Sequence, residues 1–119
     1  MRAKIAVCIL ALATMGLAHD EGKGKPVTIT GTVIDTGCYF SHDAIGEKHA
    51  DCAAMCARKG VPLAIVDAAG KVYMPIAADH QNQNAKLLPF VEKKVKVAGT
   101  LVEKGGMAGL TIETIEAAQ

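Results

Sequence analysis

Tryptophan is missing from this 119-residue chain, and the other large aromatics amount to two tyrosines and two phenylalanines. Four rings are too few for a nucleic-acid platform, which stacks successive bases on aromatic faces. Charge of one sign is lacking too: 13 Lys and Arg against 12 Asp and Glu give +1 with His neutral. A chain so balanced has no field with which to draw a polyanion or an anionic membrane. No apolar run is long. Ile5–Leu12 falls well short of the roughly 20 residues that a membrane-spanning helix needs. Paired catalytic acids, a phosphate-binding glycine loop and a cofactor fingerprint are all absent. Ser41 and His42 are neighbours in sequence, which does not make a nucleophile–base pair. An enzyme is therefore not the expected class.

Arg2 and Lys4 precede the apolar Ile5–Leu12, and Gly16-Leu17-Ala18 supplies small residues at the positions a signal peptidase reads. Residues 1–18 are expected to be a secretory signal peptide cut before His19, which makes the protein secreted or periplasmic. Without Arg2 and Lys4, 11 basic residues face 12 acidic ones, a mature charge of −1. Cys8 leaves with the leader, so three of the four cysteines remain. An odd count in an oxidising compartment means a free thiol, a pairing between chains, or a metal that holds the set reduced. Residues 19–26 are polar and read as a flexible mature N-terminus. A new amino-terminal His19 has copper-chelating atoms, but a tail is the simpler reading.

The rest, residues 27–119, reads as one small domain. Val27–Asp35 alternates and is β-branched, as a strand should be. Val95–Gly105 (VKVAGTLVEKG) repeats Val27–Gly37 (VTITGTVIDTG), with Gly31 and Gly99 at matching positions. Two glycine-centred strands suit the sharp coiling of a small closed barrel, and they are expected to pair with each other at a bend or bulge. Gly46–Lys59 is expected as a helix, ended by Gly60 and Pro62. Leu63–Asp67 and Lys71–Pro75 form a hairpin. Asp79–Leu88 reads as a short helix capped by Asp79 or Asn82 and stopped by Pro89. Lys104–Gly109 is read as a turn, and Leu110–Ile115 as the closing strand.

The fold class is thus mainly β with two short helices, in the order β-α-β-β-α-β-β. This order, with a helix between the third and fourth strands and glycine-kinked strands, resembles an OB-fold, a five-stranded small barrel. A helix between the first two strands, within an insertion at about 38–60, is an addition to that pattern. Small periplasmic OB-fold proteins are a type the chain resembles. Heme chaperones of that type attach heme through a His near a Tyr toward the C-terminus, and nothing after His80 matches that.

The insertion carries the chemistry. Cys38, His49, Cys52 and Cys56 form a C-x10-H-x2-C-x3-C set. On a helix, His49, Cys52 and Cys56 span a sector of roughly 60°, shared with Ile45 and Ala53, so two thiols and an imidazole should face the protein body. A preceding loop would bring Cys38 to the fourth side. Three thiolates and an imidazole suit zinc, or copper(I) in a shielded site. A disulfide from Cys38 to Cys52 or Cys56 is the competing reading. It would close a loop of about 14–18 residues, worth roughly 3 kcal/mol. Cysteines on an alanine-rich helix face can also be plain core residues. The imidazole favours metal, because a His on a small apolar face needs a partner. Met55, Met74 and Met107 read as core filler rather than soft ligands. His42 and Asp43 read as a cap region and His80 as solvated. The expected function is a metal-binding protein with zinc or copper(I) as cofactor, structural or metal-handling in role. Its partners would be the metal ion and a periplasmic protein, with neither nucleic acid nor membrane. The alternative is a disulfide-stapled OB-fold module that binds a small ligand or a partner protein.

Overall fold

A computed structural model describes residues 24–119; the expected signal peptide, Cys8 and His19 lie outside the described residues. Five strands form a closed barrel in the order β1-β2-β3-β5-β4, with β4 returning to β1. They are β1 (Lys25–Asp35), β2 (Leu63–Asp67), β3 (Val72–Pro75), β4 (Lys94–Lys104) and β5 (Met107–Ala117). Every pairing is antiparallel except β3 with β5, which is parallel and closes the barrel. This is the OB-fold-like architecture that the element order implied. Among the described residues, no helix is long and apolar enough to cross a membrane.

The two repeated segments are partners. Val27 of β1 faces Gly99 of β4, and Gly31 faces Val95. Each glycine sits where a side chain would collide with backbone. A β-carbon on Gly99 would lie 1.9 Å from the Thr111 carbonyl oxygen, and one on Gly31 2.5 Å from that of Val66. Gly99 stands at a register shift between β4 and β5, so the expected bulge is there. Gly31 marks the place where β1 pairs on both sides, with Val95 and with Asp67.

Alternation along the strands gives two apolar layers. Val33, Leu63, Ile65, Val95, Val97 and Leu110 fill the interior, all fully buried. Burying one such side chain is worth about 1.5–3 kcal/mol, so the interior dominates stability. Ile34, Ala64 and Val66 point to the opposite face, where Tyr39 covers them.

Three helices differ in part from expectation. Cys38 lies on a helix, α1 (Thr36–His42), and not in a loop. Asp35 explains this: its carboxylate accepts from the backbone N–H groups of Gly37 and Cys38 and so caps the helix start. Asp43 ends α1 in the left-handed conformation (φ 52°), its N–H bonded to the Cys38 and Tyr39 carbonyls. The second helix, α2, is shorter than expected, Ala50–Arg58, preceded by a 3₁₀ turn over Glu47–His49. The third, α3 (Gln83–Leu87), starts at the Asn82 cap and runs into a 3₁₀ turn over Leu88–Phe90. Pro89 sits in that turn instead of stopping the chain, since proline fits a first helical turn. The β4–β5 turn is also tighter than expected. Gly105 and Gly106 (φ 59° and 78°) make a two-residue reversal, so β5 resumes at Met107 and Gly109 lies inside it.

Asn84 ties the helices to the barrel. Its Oδ1 accepts from Leu63 N (2.9 Å), and its Nδ2 donates to Val61 O (2.7 Å) and Ala57 O (3.3 Å). It fixes the end of α2, where Cys56 sits, against the start of β2.

Candidate metal centre

The helix wheel misplaces the inward face of α2. Ala53 and Ala57 are buried against the barrel core, Cys56 is half-buried, and Cys52 is exposed. Ile45 is 48% exposed and lies outside the helix. The reason is the late start at Ala50: His49 belongs to the preceding 3₁₀ turn, so a 100° rotation per residue does not extend back to it. The cysteines therefore flank the packed alanines and face sideways toward α1. There, one helical turn brings Cys38 to meet them.

Cys38, Cys52 and Cys56 are free thiols, and their sulfurs lie within 4.8 Å of one another. In a loaded tetrahedral zinc–thiolate site such sulfurs stand about 3.8 Å apart, given Zn–S bonds of about 2.3 Å. A contraction of about an ångström would suffice. A second group shares Cys38. Its sulfur, a carboxylate oxygen of Asp35 and a ring nitrogen of His49 also lie within 4.8 Å of one another. The four residues singled out by spacing thus fall in two groups that share Cys38, with His49 grouped with Asp35 and not with Cys52 or Cys56.

Asp35 is a donor that the spacing did not disclose. It ends β1 opposite Leu63 and is fully buried. One carboxylate oxygen, Oδ1, is used in capping α1; the other, Oδ2, is buried with no hydrogen-bond partner. His49 Nε2 is likewise buried and unpartnered, 3.9 Å from Asp35 Oδ2. Glu92 is the second residue missed. It is 5% exposed and left-handed (φ 58°), and its Oε2 accepts from Gly46 N at 2.6 Å, holding the loop that leads into the His49 turn. The Glu92 Oε1 is also buried without a partner. Asp35 had a readable signal as an acid just ahead of T-G-C-Y. Glu92, in the run P-F-V-E-K-K, had none.

Electrostatics describe a site rich in acidic groups, with His49 as its one nearby basic side chain among the described residues. Burial, and next the neighbouring Asp35 carboxylate, push the Cys38 thiol up to about 12. The Cys56 thiol is raised by the same causes in the same order. Burial also raises Glu92, against the opposing pull of the Gly46 N–H and His49. Among the described residues, no Lys or Arg forms an ion pair with Asp35 or Glu92. Buried acceptors without donors or cations are costly, and a bound metal is a common remedy.

Other candidates fall away from the cluster. His42 is exposed at the end of α1, and His80 is exposed before α3. Met55 and Met107 are exposed, not core filler, while Met74 packs with the outer apolar layer. Phe40 is 68% exposed and stacks edge-on to Tyr39.

The fold and site define a small OB-fold-like barrel with an inserted helical pair whose Cys, His and Asp donors lie near enough to one another to hold a metal. Comparison with protein-family models, curated proteins and solved structures returns no match for the chain.

Proposed function

We propose that this chain is an exported metal-binding protein that holds zinc or copper(I) at Cys38, His49, Cys52 and Cys56. One observation carries the reading: three free thiols lie within 4.8 Å of one another, beside buried polar atoms of Asp35 and His49 that have no hydrogen-bond partner. A single disulfide would take two of the three thiols and leave the buried Asp35 oxygen beside it without their protons. The thiolate-rich donor set fits both metals.

The role is structural or metal-handling. Asp35 Oδ1 fixes α1 and thereby Cys38; the α2 packing of Ala53 and Ala57 fixes Cys52 and Cys56; Glu92 fixes the loop before His49. Each thiol gives up its proton on ligation, so binding weakens as the pH falls. Exposure of Cys52 leaves one donor within reach of a partner's ligand, which suits handing the metal to a periplasmic protein.

The test is titration of the reduced protein with Zn²⁺ and, separately, Cu(I) under anaerobic conditions. Wild type should bind stoichiometrically, and Cys56→Ser should lose at least tenfold in affinity. A protein that binds neither metal, or whose Cys56→Ser variant binds as tightly as wild type, would sink the reading.

A further inference from the structure

Two groups of donors meet at a single sulfur. Cys38, Cys52 and Cys56 form one, and Asp35, Cys38 and His49 form the other. We propose that the cluster holds two zinc-like divalent cations bridged by the Cys38 thiolate. Cys52 and Cys56 seat the first, and Asp35 and His49 seat the second. The proposal rests on the metal-binding reading above; it moves His49 to a second position beside Asp35 and adds a bridging role and a metal class.

The first argument is geometric. Asp35 Oδ2 and His49 Nε2 are both buried, face each other at 3.9 Å, and have no hydrogen-bond partner. At 3.9 Å the two atoms are too far apart for a direct hydrogen bond. The observed gap is one that an ion at about 2.0–2.2 Å from each atom can span. Asp35 is fully buried, and its free oxygen is aimed at this gap.

The second argument is charge. Once ligated, the three thiolates and Asp35 bring four negative charges to one part-buried place. One divalent cation would leave two of these uncompensated, and burying charge without a partner is costly. Two divalent cations neutralise the set. Among the described residues, no Lys or Arg pairs with Asp35 to do so instead.

The third argument is donor softness. Copper(I) prefers sulfur and has little affinity for carboxylate, whereas zinc accepts sulfur, nitrogen and oxygen alike. A carboxylate–imidazole position beside a thiolate therefore favours zinc. A thiolate sulfur has enough lone pairs to serve two cations at once, and Cys38 is the only residue common to both groups.

The experiment is a Zn²⁺ titration of the reduced full-length protein, counted by native mass spectrometry, with Co²⁺ as a spectroscopic stand-in. Wild type should carry two zinc ions per chain, and Asp35→Asn and His49→Ala should each carry one. Asn keeps the oxygen that accepts from Gly37 N, so α1 stays capped; His49 makes no capping bond of its own. Two cobalt ions sharing a thiolate should couple magnetically, so the wild-type electron paramagnetic signal per cobalt should be several-fold weaker than in either variant. One zinc in wild type overturns the second position and leaves the metal-binding reading in place. No zinc overturns both. Two zinc ions retained by both variants would put the second ion elsewhere and overturn the assignment.

Discussion

A single added methyl group at Gly99 should cost this domain about as much as the loss of a buried side chain. An alanine β-carbon there would lie 1.9 Å from the Thr111 carbonyl oxygen and 3.0 Å from its carbonyl carbon. Carbon contacts are comfortable only from about 3.5 Å, so β4 and β5 would have to part by more than about 1 Å. The obstacle is backbone in the longest strand pair, and no rotamer change relieves it. Overpacking a core costs typically about 1–3 kcal/mol. A rigid obstacle puts Gly99→Ala near the top of that range, at about 3 kcal/mol, and Gly99→Val above it. For a domain of this size each kcal/mol moves Tm by about 4–8 °C, so Tm should drop by about 12–24 °C. Gly31→Ala, opposed by Val66 O at 2.5 Å and the Ile65 Cγ2 methyl at 2.8 Å, should cost about 2 kcal/mol. Gly109→Ala meets first the Ile76 Cγ2 methyl at 3.0 Å, a side chain that can turn away, and should stay within about 1 kcal/mol. Urea and thermal unfolding followed by circular dichroism measure all three. A Gly99→Ala variant that loses less than about 1 kcal/mol, or one more stable than Gly109→Ala, would refute the reasoning.

Asp67 offers a pH test. Its carboxylate accepts from Lys71 N, Ala69 N and the Tyr73 hydroxyl, and the Lys71 bond is the foremost cause of its lowered pKa. A lowered folded pKa stabilises fully above the ordinary carboxylate value of about 4, and that gain is lost as pH falls through the folded value. Asp67→Asn should therefore flatten the fall of Tm between about pH 5 and 2; slopes that superimpose with wild type would contradict this. Asn84→Ala removes three hydrogen bonds at the α2–β2 junction and should cost about 1–3 kcal/mol in urea unfolding; a neutral result would mean that water replaces them. Free Zn²⁺ at 100-fold over its Kd should raise stability by about 2.7 kcal/mol in a thermal-shift assay, and much less in Cys56→Ser; an equal rise in both would place the metal elsewhere.

Much of the barrel was legible because strand chemistry is local. Leu63–Asp67 is β2 as read, and the shared Gly-Thr of the two repeats marked strands that do pair. The misses came where a residue's meaning depends on what meets it in space. Cys38 was expected in a loop, yet Asp35 supplies the cap that lets a helix start just ahead of it. Gly109 looked like part of a turn because glycine is a turn residue; in the fold it is a strand position pressed against Ile76. Spacing brought four donors to notice but put His49 on the helix, whereas it stands in the turn before α2. Glu92 was silent, since nothing in a charged run says that one acid is turned inward with φ 58°.

Asp35 shows why the barrel and the cluster should be treated as one cooperative unit. Its backbone belongs to β1 and pairs with Leu63 of β2. Its Oδ1 starts α1, which carries Cys38 into the cluster and Tyr39 onto the outer apolar layer. Its Oδ2 is left, buried and unpartnered, beside His49. A residue that only capped a helix could sit at the surface and lose little; burial of the second oxygen is an added cost that the fold keeps. Before metal binds, that cost is carried by barrel burial. On the two-ion proposal the same oxygen would become a ligand, tying the His49 turn to the end of β1. On that proposal metal affinity and barrel stability would be linked through one side chain, so that a change at either would be felt at the other.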